Sequence, residues 1–178
     1  MEIRPLPAEE AAVRRFVEEL WLPHHRALEA IVDAHGLADD ADLLDVEVEF
    51  RLDRLGAASH RAWVAVDGTD DKRSQADAEL AALDGNLAGF VATDVDESPP
   101  VFDRPDRLVV GDVYVREPYR GTGLARDLID VAAGRAREVG CAELALDVDA
   151  DNERAIAFYE KLGFETRRRR MRAAVDES

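Results

Sequence analysis

Cysteine and lysine are nearly missing from this chain. Cys141 is the only cysteine among 178 residues. No internal disulfide can form, and a cysteine-built metal cage is excluded. Lys72 and Lys161 are the only lysines, against 21 arginines, 22 aspartates and 17 glutamates. The net charge of −16 repels a phosphate backbone, which argues against nucleic acid as a partner. No apolar run approaches the ~20 residues needed to cross a bilayer, so no membrane association is expected. The opening "MEIRPLPAEEAAVRRF" lacks the basic-then-apolar layout of a signal peptide. A soluble, cytoplasmic protein is expected. Acidity with so little lysine points further to a salt-rich cytoplasm, where a Debye length of ~3 Å at 1 M screens self-repulsion.

What is present is enough to build a core. Hydrophobic residues make up 47% of the chain, and no composition break or repeat divides residues 1–178, so a single domain is expected. In "PAEEAAVRRFVEELWL", Val13, Phe16, Val17, Leu20 and Trp21 fall on one helical face. Pro7 suits the start of that helix, and Pro23 should break or kink it. "HHRALEAIVDAHG" reads as a second helix stopping at Gly36, with Leu28, Ile31 and Val32 inward. Residues 42–55 alternate as a strand would, yet Leu44, Val48 and Leu55 also share a helical face. "RAWVAVDG", "LAGFVATDV", "RLVVGDVYV" and "AELALDVDA" read as strands, and "FETRRRRMRAA" as a last one. Residues 67–86 read as an acidic surface loop. Leu124, Leu128, Ile129, Ala132, Ala136 and Val139 line a long helix ended by Gly140, and "NERAIAFYEKLG" is a helix closed by Gly163. A strand–helix–strand unit implies parallel neighbours, whereas the earlier strands are close enough in sequence to pair antiparallel. The fold class is therefore α/β, with a mixed sheet covered by helices.

The stretch "REPYRGTGLA" (residues 116–125) sits between a strand and the long helix. Gly121 and Gly123 permit a tight turn, and the helix after them starts with unpaired amides and a partial positive charge. Together they can cradle a phosphate or pyrophosphate, with Arg120 and Arg126 adding charge-assisted bonds. A Walker loop does not fit, because no lysine follows the glycines. A Rossmann fingerprint does not fit either, because residue 126 is Arg. A glycine turn alone is also compatible with plain connection chemistry.

The wider stretch narrows the choice. "VYVREPYRGTGLARDLI…LALDVDADNERAIAFYEKLGFE" resembles the GNAT superfamily of acyl-CoA-dependent N-acyltransferases. Arg120, Gly123 and Ala125 meet its Arg/Gln-x-x-Gly-x-Gly/Ala motif. Asn152, Ala155, Tyr159, Glu160, Lys161, Leu162, Gly163 and Phe164 meet its later signature. The motif-bearing core spans residues 107–170, and "IRPLPAEEAAVRRF" is similar to the family's opening strand and first helix. The resemblance implies a central mixed, mostly antiparallel sheet, and it makes residues 42–55 a helix. It implies coenzyme A as the anion, with the pyrophosphate on Gly121, Thr122, Gly123, Leu124, Ala125 and Arg126. The pantetheine arm would run along Val113, Tyr114 and Val115, where two parallel strands splay apart.

By the same resemblance Tyr159 is the proton donor to the leaving thiolate, and Asn152 binds the pantetheine arm or caps its helix. Asp147 and Asp112 are alternative general bases, although an ordinary carboxylate is a poor base for an ammonium group. The four histidines (His24, His25, His35 and His60) lack a metal-like or His/carboxylate spacing and read as helix-surface residues, so no metal is expected. Cys141 reads as a small core residue. The "RRRR" run at 167–170 reads as salt-bridged structure. The expected activity is transfer of an acetyl group from acetyl-CoA to a primary amine by direct attack in a ternary complex. The acceptor is a small-molecule amine or a protein N-terminus or lysine. The alternative is a non-catalytic acyl-CoA sensor, and a homodimer is compatible with either. The charge analysis predicts that the melting temperature rises as KCl goes from dilute buffer to the molar range. A flat profile would remove the salt-adaptation reading.

Overall fold

The computed structural model describes residues 1–32, 35–38, 42–68, 85–168, 171 and 173. The chain divides into two compact units, Met1–Asp147 and Val148–Ser178. The first unit holds a five-stranded sheet in the order β1 (Glu2–Pro5), β2 (His60–Asp67), β3 (Asn86–Asp96), β4 (Arg107–Val115) and β5 (Glu143–Leu146). The first three pairings are antiparallel. β4 and β5 are parallel, as strands joined through the long helix α4 (Leu124–Glu138) should be. This is the expected mixed, mostly antiparallel sheet with its helices. The expected 67–86 loop lies largely outside the described residues. No helix among the described residues is long and apolar enough to cross a membrane.

One face of the sheet is covered from the N-terminal side. Val13, Phe16, Val17, Leu20 and Trp21 are all buried, as their spacing predicts, and cluster with Val64, Val66, Leu87 and Phe90. Phe16 meets Phe90 edge-on at 4.9 Å, a contact worth ~0.5–1.5 kcal/mol beyond its buried area. Residues 42–55 are helical: α3 spans Leu43–Gly56, capped by the Asp42 side chain, with Val48 buried. The helical reading implied by the family resemblance holds, and local alternation misleads because Val46 and Phe50 are exposed. On α4, Leu124, Leu128, Ile129, Ala132 and Ala136 are buried apart from that cluster, against β3 and β4, which places them on the opposite face.

Three expectations need correction. Pro23 does not break the helix. α1 (Glu10–Phe16) runs through a π-turn (Val17–Trp21) straight into α2 (Leu22–Glu29). In that turn the Leu22 amide reaches back five residues to the Val17 carbonyl, so the proline's missing donor falls where the ladder is already shifted. α2 then ends at Glu29 rather than Gly36, which leaves Ile31 exposed. No strand forms over 164–168, and the rest of the expected last strand lies mostly outside the described residues. In the second unit, α5 (Glu153–Lys161) is capped by Asn152, whose side chain accepts from the Ala155 amide at 3.2 Å. Gly163, at φ 90°, follows it as the chain turns away.

Gly89 shows how tightly β3 and β4 are fitted. A Cβ at that position would stand 2.5 Å from the Tyr114 carbonyl oxygen. Gly89→Ala is expected to cost ~1–3 kcal/mol through the forced strand shift, read as a lowered urea midpoint.

Candidate functional site

The site in the first unit is built along the C-terminal half of β4. Pairing with β5 covers only Arg107–Val110, against Glu143–Leu146. β4 continues to Val115, paired with β3 on one side only. Main-chain groups of residues 111–115 therefore face no strand on the β5 side among the described residues. The sequence-predicted Val113, Tyr114 and Val115 lie on this open edge. Buried backbone groups demand partners, so such an edge suits an extended ligand carrying amides of its own.

The edge leads directly into the glycine turn. A short 3₁₀ turn (Glu117–Tyr119) is followed by Gly121 at φ 78° and Gly123 at φ 96°. Both values lie in the left-handed region, where a Cβ is strained, which is why these two positions are glycine. Gly123 is the N-cap of α4, and no side chain caps that end. Among the described residues, no main-chain acceptor outside α4 takes the amides of residues 121–125. Thr122 donates its hydroxyl to the Tyr119 carbonyl at 2.7 Å, and Arg120 donates Nε to the Val115 carbonyl at 3.1 Å. Both contacts brace the turn. Arg116 donates to the Leu87 carbonyl at 3.0 Å and ties the turn to β3. Arg126 is exposed in the first turn of α4. The array of amides and cations is the one an anion needs.

A bulge just upstream decides where Asp112 points. Ala92 pairs with Asp112 and Thr93 with Val110, so Gly111 is the extra residue. Residues directly opposite each other share a face, which sets Asp112 and Tyr114 beside Ala92 and Phe90 on the side of the N-terminal helices. There Asp112 Oδ1 lies 3.6 Å from His24 Nε2, and Oδ2 lies 3.6 Å from Arg51 Nη2. Arg51 also pairs with Glu47 through Nε. The His24 ring packs 5.2 Å from Tyr114 and 5.8 Å from Phe90. His25 packs tilted against Trp21 at 4.2 Å, and its Nε2 is buried with no hydrogen-bond partner among the described residues.

Electrostatics in this cluster run in opposite directions. Burial pushes the Asp112 carboxyl up, but the adjacent His24, followed by Arg51 and His25, more than reverses this and holds it below the ordinary value. Burial raises Glu47 despite Arg51. Burial also lowers His25 to about 4, outweighing the pull of Asp112. The donor atoms of His24, His25 and Asp112 lie within 4.8 Å of one another, near enough to share a metal. The guanidinium of Arg51 against the same carboxylate already brings positive charge here.

His24 and His25 are thus not the surface residues their spacing suggests, and His60 is buried on β2, 3.1 Å from Asp94. A usable signal was present. His24 and His25 continue the face of Leu20 and Trp21, three to five residues on. Arg51 and Glu47 carried no such signal. Asp147 is exposed just beyond β5, and the structure does not bring it into this cluster. In the second unit, Asn152 is engaged as a helix cap, and the Tyr159 ring contacts Phe158 at 5.2 Å and Phe164 at 5.5 Å.

Comparison with known proteins agrees with this fold. The profile of the Acetyltransferase (GNAT) family matches residues 42–164. A mycothiol acetyltransferase of Parafrankia sp. (strain EAN1pec) is 30% identical over 176 residues, covering 90% of this chain and 48% of that protein. The chain spans about half the length of such curated relatives. Among solved structures, a tetramutant of the BH1408 protein from Bacillus halodurans superposes with a TM-score of 0.76 at 18% identity, covering 98% of this chain and 100% of that one. An aminoglycoside N-acetyltransferase in complex with CoA gives 0.64 at 18%, covering 98% and 93%. At these identities the two structures speak to the fold.

The His25 imidazole yields a test of the cluster's burial. Between about pH 4 and 6.5 the native state binds fewer protons there than the unfolded chain. Its contribution is fully present above 6.5 and is lost as the pH falls toward 4. His25→Gln is expected to show a shallower fall in melting temperature between pH 7 and 4.5 than the wild type. Parallel curves would mean that His25 is not buried as described.

Proposed function

The chain belongs to the acetyltransferase (GNAT) family, and we propose that it transfers an acetyl group from acetyl-CoA to a primary amine within a ternary complex. One observation carries the reading: the open edge of β4 is followed, after one 3₁₀ turn, by the amide-lined glycine turn. Pantetheine is an extended chain with two amides, and it ends in a pyrophosphate. A linear edge followed by an anion cradle matches that order of groups. Gly121, Thr122, Gly123, Leu124, Ala125 and Arg126 would hold the pyrophosphate, and Val113, Tyr114 and Val115 the arm. Arg120, which braces the turn, would add charge at its rim.

The thioester then lies along β4, near the strand position from which Asp112 projects. A main-chain amide of that strand would polarise the carbonyl as its oxygen becomes negative. Of the two candidate carboxylates, Asp112 is favoured over Asp147, because it is joined to the partly buried cluster whereas Asp147 is exposed. On its motif position Tyr159 is the donor to the leaving thiolate, and Asn152 assists the arm. The acceptor is an amine on a small molecule or at a protein N-terminus or lysine. A salt-rich cytoplasm is the setting that the charge composition favours.

Release of CoA thiol from acetyl-CoA across an amine panel, at high salt, tests this reading. Asp112→Asn should lower turnover by about 10²- to 10⁴-fold. Gly123→Ala, strained by ~1–2 kcal/mol in a left-handed backbone, should raise the KM for acetyl-CoA about tenfold. Tyr159→Phe with unchanged turnover would remove the donor assignment. Tight CoA binding with no thiol release would replace the enzyme by a sensor.

A further inference from the structure

The proton leaving the acceptor amine needs a destination, and the geometry supplies one other than Asp112 itself. Both oxygens of that carboxylate already face cationic or proton-bearing groups, His24 Nε2 and Arg51 Nη2, each at 3.6 Å. His24 stands between Asp112 and the aromatic rings of Tyr114 and Phe90, so it borders the strand proposed to carry the thioester. Its Nε2 is turned to the carboxylate, and its Nδ1 has no hydrogen bond among the described residues. We propose that His24 and Asp112 form an imidazole–carboxylate dyad in which His24 Nδ1 takes the proton from the acceptor ammonium while Asp112 orients the ring and compensates the imidazolium. This rests on the acetyl-transfer reading above and names the group that performs its proton step.

The neighbours of His24 fit that role. Imidazole is the side chain whose charge ordinarily changes between pH 5 and 8, a range in which a carboxylate is a weak base. The titratable and charged groups around it are Asp112 on β4, Arg51 and Glu47 on α3, and His25 on α2, with His35 acting on His25 from further along. Asp112 is the charged group in contact with the ring, its Oδ1 3.6 Å from Nε2. His25 is the poorer base, because burial holds it neutral down to about pH 4. The 3.6 Å separation is longer than a good hydrogen bond and is expected to tighten when substrate excludes water.

The step balances as follows. The ammonium gives one proton to Nδ1, leaving a neutral amine and an imidazolium whose Nε2–H faces the Asp112 carboxylate. The amine lone pair forms the C–N bond at the thioester carbonyl. As the C–S bond breaks, its electron pair passes to sulfur; the proposed donor Tyr159 protonates the thiolate, and the second nitrogen proton restores the tyrosine. The imidazolium returns its proton to solvent, so ammonium and thioester yield amide, thiol and one proton.

Two readouts on the full chain test the dyad: pH profiles of kcat/KM for thiol release, and the titration of the His24 ring nitrogens by NMR. For a wild type with an imidazole base, activity should fall as pH drops through the His24 titration. Asp112→Asn removes the carboxylate that faces Nε2, so both the kinetic limb and the NMR signals of the His24 ring should move. His24→Gln should lower kcat by about 10²-fold or more and abolish the limb, leaving the KM for acetyl-CoA unchanged. His25→Gln should leave the limb in place. A His24→Gln enzyme that keeps both rate and limb would overturn the dyad while acetyl transfer stands, as would a His24 titration unmoved in Asp112→Asn. A wild type that releases no thiol with any amine would bring down the acetyl-transfer reading itself, and the dyad's catalytic role with it.

Discussion

The extra residue at Gly111 is the constraint on which the site depends. Without it, Val110 and Asp112 would project from the same face of β4. With it, Val110 is buried on one face while Asp112 turns to the other, toward the N-terminal helices. Pairing with β5 also ends at Val110, so strand separation and side-chain reversal occur within two residues. The open backbone edge and the carboxylate beside it therefore begin at the same point of β4.

The helical layer answers that carboxylate. The π-turn before Pro23 keeps the chain helical long enough for His24 and His25 to follow Leu20 and Trp21 onto the sheet. α3 contributes Arg51 and Glu47 from the side. Two carboxylates, a guanidinium and two imidazoles in a half-buried space cost desolvation energy unless each charge is compensated. Here every charged member has an opposite partner, and the uncompensated polar atom, His25 Nε2, belongs to a ring that burial keeps neutral. Apolar side chains would stabilise such a space as well or better, so its polarity is the mark of chemistry.

Much of the architecture was legible locally. The face of α1, the stripe of α4, the alternation of the four longer strand segments and the caps at Asn152 and Gly163 all follow from short-range periodicity and backbone preference. The glycine turn was legible because positive φ leaves few other residues to choose. Residues 42–55 were not, since strand and helix periods both fit, and the correct state depended on which residues the sheet would bury. The continuity of α1 into α2 was misjudged because proline rules take no account of a π-turn that absorbs the missing donor.

By itself, the sequence determined most of the elements, the glycine turn and the family signature, because each is written in neighbours a few residues apart. Tertiary structure alone decided that Asp112 faces His24 and Arg51, three residues distant in sequence and carried by β4, α2 and α3. One extra residue in the strand pairing set that direction, and pairing register is a property of two strands together rather than of either one.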